Sequence, residues 1–91
     1  MKESAIEKAV TAHAKKLGWI SLKLSGVHDR GKPDRMYLRQ GIAVFVEYKA
    51  PGKKPTALQM KWLNDLSNAG FHATWFDYED EGKRFFDLIS V

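Results

Sequence analysis

The sequence contains no cysteine and no long run of apolar residues. Without cysteine, the chain can form no disulfide, no thiolate zinc site and no cysteine nucleophile. Without about twenty consecutive apolar residues, a transmembrane helix is not predicted. The charged N-terminal residues do not resemble a secretion signal. The sequence therefore predicts a cytoplasmic protein with no membrane partner.

The chain has 91 residues, of which 44% are hydrophobic, and this predicts one domain spanning residues 1–91. Fifteen basic against eleven acidic residues give a net charge of +4. Such an excess suits a polyanion such as nucleic acid, although many proteins with this charge bind none. The positions of the charges add information. Glu7, Asp34 and Glu47 are candidate site residues, and the loops beside the last two carry basic residues at positions 30, 32, 49, 53 and 54. A group of acidic residues surrounded by basic residues is typical of a metal site that faces a phosphate backbone.

Apolar periodicity and turn residues predict three helices and four strands. Their approximate ranges are 6–17, 19–24, 34–39, 42–49, 56–69, 71–78 and 80–89. The order is helix, strand, strand, strand, helix, strand, helix. The strand 42–49 is apolar on both faces, as expected of a central strand. This pattern predicts an α/β sandwich around a mixed sheet.

The hairpin formed by residues 34–49 carries the strongest functional signal. A turn centred on residues 40 and 41 would pair Arg39 with Ile42 and place Asp34 directly opposite Glu47. A three-residue loop would shift that pairing by one residue. Two carboxylates so close repel each other and require a compensating cation, which a divalent metal would supply.

The segments Pro33-Asp34, Glu47-x-Lys49 and Gln59 resemble the PD-(D/E)XK nuclease superfamily, and more narrowly the VRR-NUC family of virus-type replication-repair nucleases. The resemblance extends from Glu7 to the strand after Gly70. It implies a restriction-endonuclease-like three-layer sandwich, with a central mixed β-sheet flanked by helices. It also implies a Mg²⁺-dependent DNA endonuclease, with Mn²⁺ also supporting activity and no organic cofactor. A phage-type homodimer in the host cell cytoplasm, acting on branched DNA such as Holliday junctions, is implied as well.

The resemblance implies roles for individual residues. The metal ligands would be Asp34, Glu47, the backbone carbonyl of Tyr48 and, directly or through water, Glu7. Lys49 would assist attack by water, and Gln59 would position water or phosphate. Contacts to DNA are predicted for Ser25, Arg30, Lys32, Lys53 and Lys54.

Several of these residues also have a purely structural interpretation. Glu7 and Gln59 each stand three residues after a hydroxyl residue, so both could belong to capping boxes at helix starts. Lys49 could be a surface lysine paired with Glu47. Arg35 occupies a position that is usually apolar in the family, which predicts that this strand face is exposed or meets a partner.

One alternative function follows from the same residues. A non-catalytic nucleic-acid-binding module that keeps the nuclease fold would have the same charge balance and aromatic content. Among enzymes, cleavage of RNA or of ordinary duplex DNA also remains open at the level of sequence.

Overall fold

The computed structural model describes residues 1–24 and 30–91. Within these ranges the elements are α1 (Glu3–Lys16), β1 (Ile20–Lys23), β2 (Arg35–Arg39), β3 (Ile42–Tyr48), α2 (Ala57–Asn68), β4 (His72–Phe76) and α3 (Glu79–Ile89). The predicted order of helices and strands is confirmed. None of the helices in the described part of the chain is long and apolar enough to cross a membrane.

The strands of the described residues form one mixed sheet in the order β1-β2-β3-β4. Strand β3 is central, antiparallel to β2 and parallel to β4. The predicted pairing of Arg39 with Ile42 is confirmed. Gln40 and Gly41 both have positive φ, 47° and 79°, as a two-residue type I′ turn requires. The turn thus sets the register of the whole hairpin.

Helices cover the sheet on both faces, which gives the predicted three-layer sandwich. On one face, α1 and α3 enclose the core, where Tyr37, Val44 and Val46 are fully buried. On the other face, α2 packs over β3 and β4 and buries Leu63. The edge strand β1 is less covered, and Ile20 and Leu22 are 62% and 43% exposed.

A chain of buried hydroxyl groups connects α1 to the centre of the sheet. The hydroxyl oxygens of Thr11 and Tyr37 are 2.8 Å apart, and those of Tyr37 and Tyr48 are 2.7 Å apart. Burial raises the pKa of both tyrosines, so these groups remain neutral and act as hydrogen-bonding partners. Because buried polar groups are costly without partners, this chain holds α1 in one position over β3.

Gly82 lets α3 approach α1 closely. A Cβ atom at this position would lie 2.6 Å and 2.9 Å from the two γ-carbons of buried Val10. We expect Gly82→Ala to lower the free energy of unfolding by about 1–2 kcal/mol, since overpacking costs about 1–3 kcal/mol and the better helix propensity of alanine returns up to about 1 kcal/mol. Urea denaturation followed by circular dichroism would measure the change.

The matched control is the same substitution in a Val10→Ala background. Removing the γ-carbons of Val10 should remove the two shortest contacts and leave Cδ2 of Phe76 at 3.2 Å, so Gly82→Ala should there cost clearly less stability. An equal loss of stability in both backgrounds would contradict this explanation.

Candidate metal centre

Three carboxylates from separate parts of the chain, in α1, just before β2 and in β3, converge at one end of the sheet. One carboxylate oxygen from each of Glu3, Asp34 and Glu47 lies within 4.8 Å of the other two. Among residues 1–24 and 30–91, these three side chains form the group that could hold a metal ion. The predicted convergence of Asp34 and Glu47 is therefore confirmed. The third carboxylate, from the first turn of α1, was not predicted.

Asp34 stands immediately before β2 and is held by the backbone of β3. Its amide donates to the carbonyl of Val46 at 3.0 Å, and its Oδ2 accepts from the amide of Tyr48 at 2.7 Å. Burial raises the pKa of Asp34, while the hydrogen bond from Tyr48 opposes that increase. The β2–β3 pairing thus sets both the position and the orientation of this carboxylate.

Glu47 is the most deeply buried acidic group of the site, with 3% of its surface exposed. Its Oε2 lies 3.4 Å from Nζ of Lys49 and accepts from Nε2 of Gln59 at 3.1 Å. Its buried Oε1 has no hydrogen-bond partner among the described residues. Burial, and then the charge of Asp34, raise the pKa of Glu47 to about 7, against the lowering effect of Lys49.

These features fit a divalent cation. A buried carboxylate oxygen without a partner is costly, and a bound cation would both pair with it and relieve the repulsion within the cluster. Carboxylate oxygens are the ligands that Mg²⁺ and Mn²⁺ prefer. Residues Glu3, Asp34 and Glu47 are therefore the side chains best placed to hold such an ion.

Gln59 forms a capping box and also contacts Glu47, while its role in positioning water or phosphate remains a prediction. Its Oε1 accepts from the amide of Thr56 at 2.8 Å, and its own amide donates to Oγ1 of Thr56 at 3.2 Å, which completes a capping box at the start of α2. Its Nε2 remains available and donates to Glu47. The cap therefore orients the amide that fixes Glu47.

Glu7 lies one helical turn after Glu3 but belongs to a different contact. Its Oε2 accepts from Nε of Arg35 at 2.6 Å and lies 3.4 Å from Nζ of Lys23. The capping box with Ser4 does not form, because α1 begins at Glu3 and has no side-chain cap. The metal-binding role of Glu7 therefore remains a prediction. The spacing of Glu3 and Glu7 by four residues, on one helix face, was the signal that could have identified Glu3.

Arg35 differs from its expected environment. Its side chain contacts Glu7 of α1, is 21% exposed, and also donates from Nη1 to Ser21 at 2.9 Å, while contact of this strand face with a partner remains a prediction. The carboxylate of Glu7 explains how a cation is tolerated at this half-buried position, since such a charge requires an opposite charge.

The remaining predicted site residues are placed as follows. The backbone of Tyr48 lies between Glu47 and Lys49, and its carbonyl remains a predicted ligand. The carbonyl of Arg30 accepts from Nε1 of Trp62 at 2.9 Å, which holds this end of the loop against α2. Lys32 is half-buried, and Lys53 and Lys54 are exposed. Ser25 lies outside the described residues.

The burial of Glu47 predicts an unusual dependence of stability on pH in metal-free protein. Because folding raises the pKa of this carboxyl from 4.5 to about 7, the folded state binds the proton more tightly, and stability decreases as the pH rises through that interval. Glu47→Gln removes the buried charge. We expect the variant to be more stable than the natural protein at pH 8, by on the order of 2 kcal/mol, and nearly equal at pH 4. Urea denaturation in EDTA at both pH values measures this.

Asp65→Asn is the control, since the Asp65 side chain is 59% exposed on α2 and should change stability little at either pH. A Glu47→Gln protein that is less stable than the natural one at pH 8 would contradict the electrostatic account.

Comparison with known proteins gives two matches. The chain is 37% identical over 81 residues to "Putative nuclease p44" of Acyrthosiphon pisum secondary endosymbiont phage 1, covering 88% of this chain and 87% of that protein. A solved structure titled "VRR_NUC domain" superposes with a TM-score of 0.85 at 24% identity, covering 96% of each chain. No family model matches the sequence. The first match is close enough to show common membership of a family, and the second shows a common fold.

Proposed function

Because this chain belongs to the VRR-NUC family, we propose that it is a metal-dependent DNA endonuclease that hydrolyses phosphodiester bonds, with a preference for branched DNA such as Holliday junctions. The observation that carries the proposal is the convergence of Glu3, Asp34 and Glu47, with Oε1 of Glu47 buried and unpartnered in the described chain. The phage origin of the relative supports a place of action in the host cytoplasm.

Mg²⁺ is the proposed cofactor, and Mn²⁺ should also support activity. The ligands would be the carboxylates of Glu3, Asp34 and Glu47 and the backbone carbonyl of Tyr48. When bound, the ion would supply Lewis-acid activation of the phosphate and of water. Glu7 would support the site from the next turn of α1, where it already holds Arg35 and Lys23.

Lys49 is the proposed catalytic base or water-orienting group. Its Nζ is within 3.4 Å of Glu47, and its side chain is 16% exposed, so it faces the cluster while remaining accessible to a water molecule. From there it can orient the attacking water and stabilise the negative charge that develops on the phosphate. Gln59 keeps Glu47 in position through the bond from its Nε2.

The decisive experiment is incubation of the purified protein with linear duplex, single-stranded, flap and four-way DNA, in Mg²⁺, Mn²⁺ or EDTA. We expect cleavage in either metal, fastest on the four-way junction, and none in EDTA. Glu47→Ala and Lys49→Arg should each reduce the rate by roughly 10²-fold or more, because the first removes a ligand and the second keeps the charge but cannot accept a proton.

Asp65→Asn, which changes a surface carboxylate outside the cluster, should cleave at the natural rate. Calorimetric titration with Mg²⁺ separates the enzyme from a non-catalytic nucleic-acid-binding module, which has no reason to bind the ion. Full activity of Glu47→Ala on every substrate would refute the proposal, and cleavage confined to RNA or to linear duplex would correct its substrate.

A homodimer is also proposed, because a symmetric junction presents two strands and each chain offers one site. The exposed apolar side chains of Ile20 and Leu22 are consistent with a protein–protein interface. Sedimentation equilibrium at micromolar concentration should therefore give the mass of two chains. If the protein has the mass of one chain and still makes paired incisions across a junction, the proposed homodimer is refuted.

A further inference from the structure

A groove with a net positive charge lies beside the carboxylate cluster, between α1 and the strands β1 and β2. Its volume is about 450 Å³. The charged residues that line it are Glu7, Lys8, Lys15, Lys23 and Arg35. Four cations and one carboxylate leave three positive charges on one surface. This surface is distinct from the basic loops around residues 30–32 and 53–54.

The floor of the groove is rigid because its charges are paired. Arg35 donates to Glu7 and to Ser21, and these bonds fix the guanidinium between α1 and β1. Lys23 also contacts Glu7, at 3.4 Å, but its side chain is 62% exposed. The guanidinium of Arg35 is therefore occupied by bonds within the protein, whereas the ammonium group of Lys23 remains accessible to a ligand.

The rim of the groove carries Lys8 and Lys15, both exposed. Neither forms an ion pair within residues 1–24 and 30–91. They stand seven residues apart, or roughly 10 Å along the helix, and therefore lie on the same face of α1. Three accessible ammonium groups, those of Lys8 and Lys15 on α1 and of Lys23 on β1, thus line one groove.

We propose that this groove binds the sugar–phosphate backbone of the DNA on one side of the scissile phosphate, with Lys8, Lys15 and Lys23 as phosphate contacts. The inference rests on the proposed function, since two residues that line the groove, Ser4 and Arg35, directly follow the proposed ligands Glu3 and Asp34 in the chain. A small anion would need only one of these lysines. A polyanion with a charge about every 3.4 Å along each strand can contact several of these lysines at once.

The cluster is connected to α2 as well as to the α1 groove. Gln59 of α2 donates to Glu47, and Trp62 of the same helix donates to the carbonyl of Arg30. On the other helix, Glu3 directly precedes Ser4, which lines the groove. A strand bound in the groove would therefore run close to the proposed metal ligands.

The adjacent lysines 15 and 16 provide a matched test, because both are exposed on α1 but only Lys15 lines the groove. The probe is a fluorescein-labelled four-way DNA junction, titrated by anisotropy in EDTA from about 50 to 200 mM salt. Lys15→Ala should make the slope of log K against log salt shallower by about 0.9 and weaken binding roughly eightfold at 0.1 M salt. Lys8→Ala with Lys15→Ala should change the slope by about 1.8. Lys16→Ala should match the natural protein.

Binding is measured without cleavage, so the two proposals fail separately. Equal slopes for Lys15→Ala and Lys16→Ala, or no binding of the junction by the natural protein at any salt concentration, would overturn the groove. If the two slopes differ clearly but the protein cleaves no DNA with any metal, the proposed DNA contact in the groove is supported and the proposed nuclease activity is refuted.

Discussion

The repulsion among Glu3, Asp34 and Glu47 is the constraint on which this structure depends. Their oxygens are held within 4.8 Å of one another, and Glu47 is buried to an extent at which a charged carboxylate is costly. Burial raises the pKa of both Asp34 and Glu47, so the fold itself opposes their ionisation. Such an arrangement persists only when the surrounding structure enforces it, and sites of this kind are commonly functional.

The enforcement comes from backbone pairing and from a few buried hydrogen bonds. The amide of Tyr48 fixes Asp34, and the same residue extends its hydroxyl in the opposite direction to Tyr37 and so to Thr11 of α1. One residue thus connects the position of a carboxylate to the packing of the helix that supplies Glu3. On the other face of the sheet, the capping box of α2 orients Gln59 towards Glu47. Elements from both sides of the sheet therefore converge on one point.

Basic residues lie close to the acidic cluster. Lys49 contacts the acidic cluster through Glu47, and the α1 groove is lined by Ser4 and Arg35, which directly follow Glu3 and Asp34 in the chain. A phosphate backbone would meet attraction along its path, and the repulsion at the cluster would be relieved by a divalent cation. The ion pair of Glu7 with Arg35 shows that one acidic residue of α1 is used to organise cations, while its neighbour one turn earlier faces the cluster.

The sequence alone determined the local features. The two-residue turn at Gln40 and Gly41 sets a register in which Asp34 and Glu47 must meet, because strand pairing is fixed by the turn and side chains alternate with a period of two. The order of elements followed from periodicity for the same local reasons. Only the tertiary structure decided which acidic residue of α1 reaches the cluster, that Glu7 pairs with Arg35, and that the lysines of α1 and β1 form one groove. Those outcomes depend on the rotation and height of α1 over the sheet, which are set by contacts between residues far apart in the chain, such as Val10 with Gly82 and Thr11 with Tyr37.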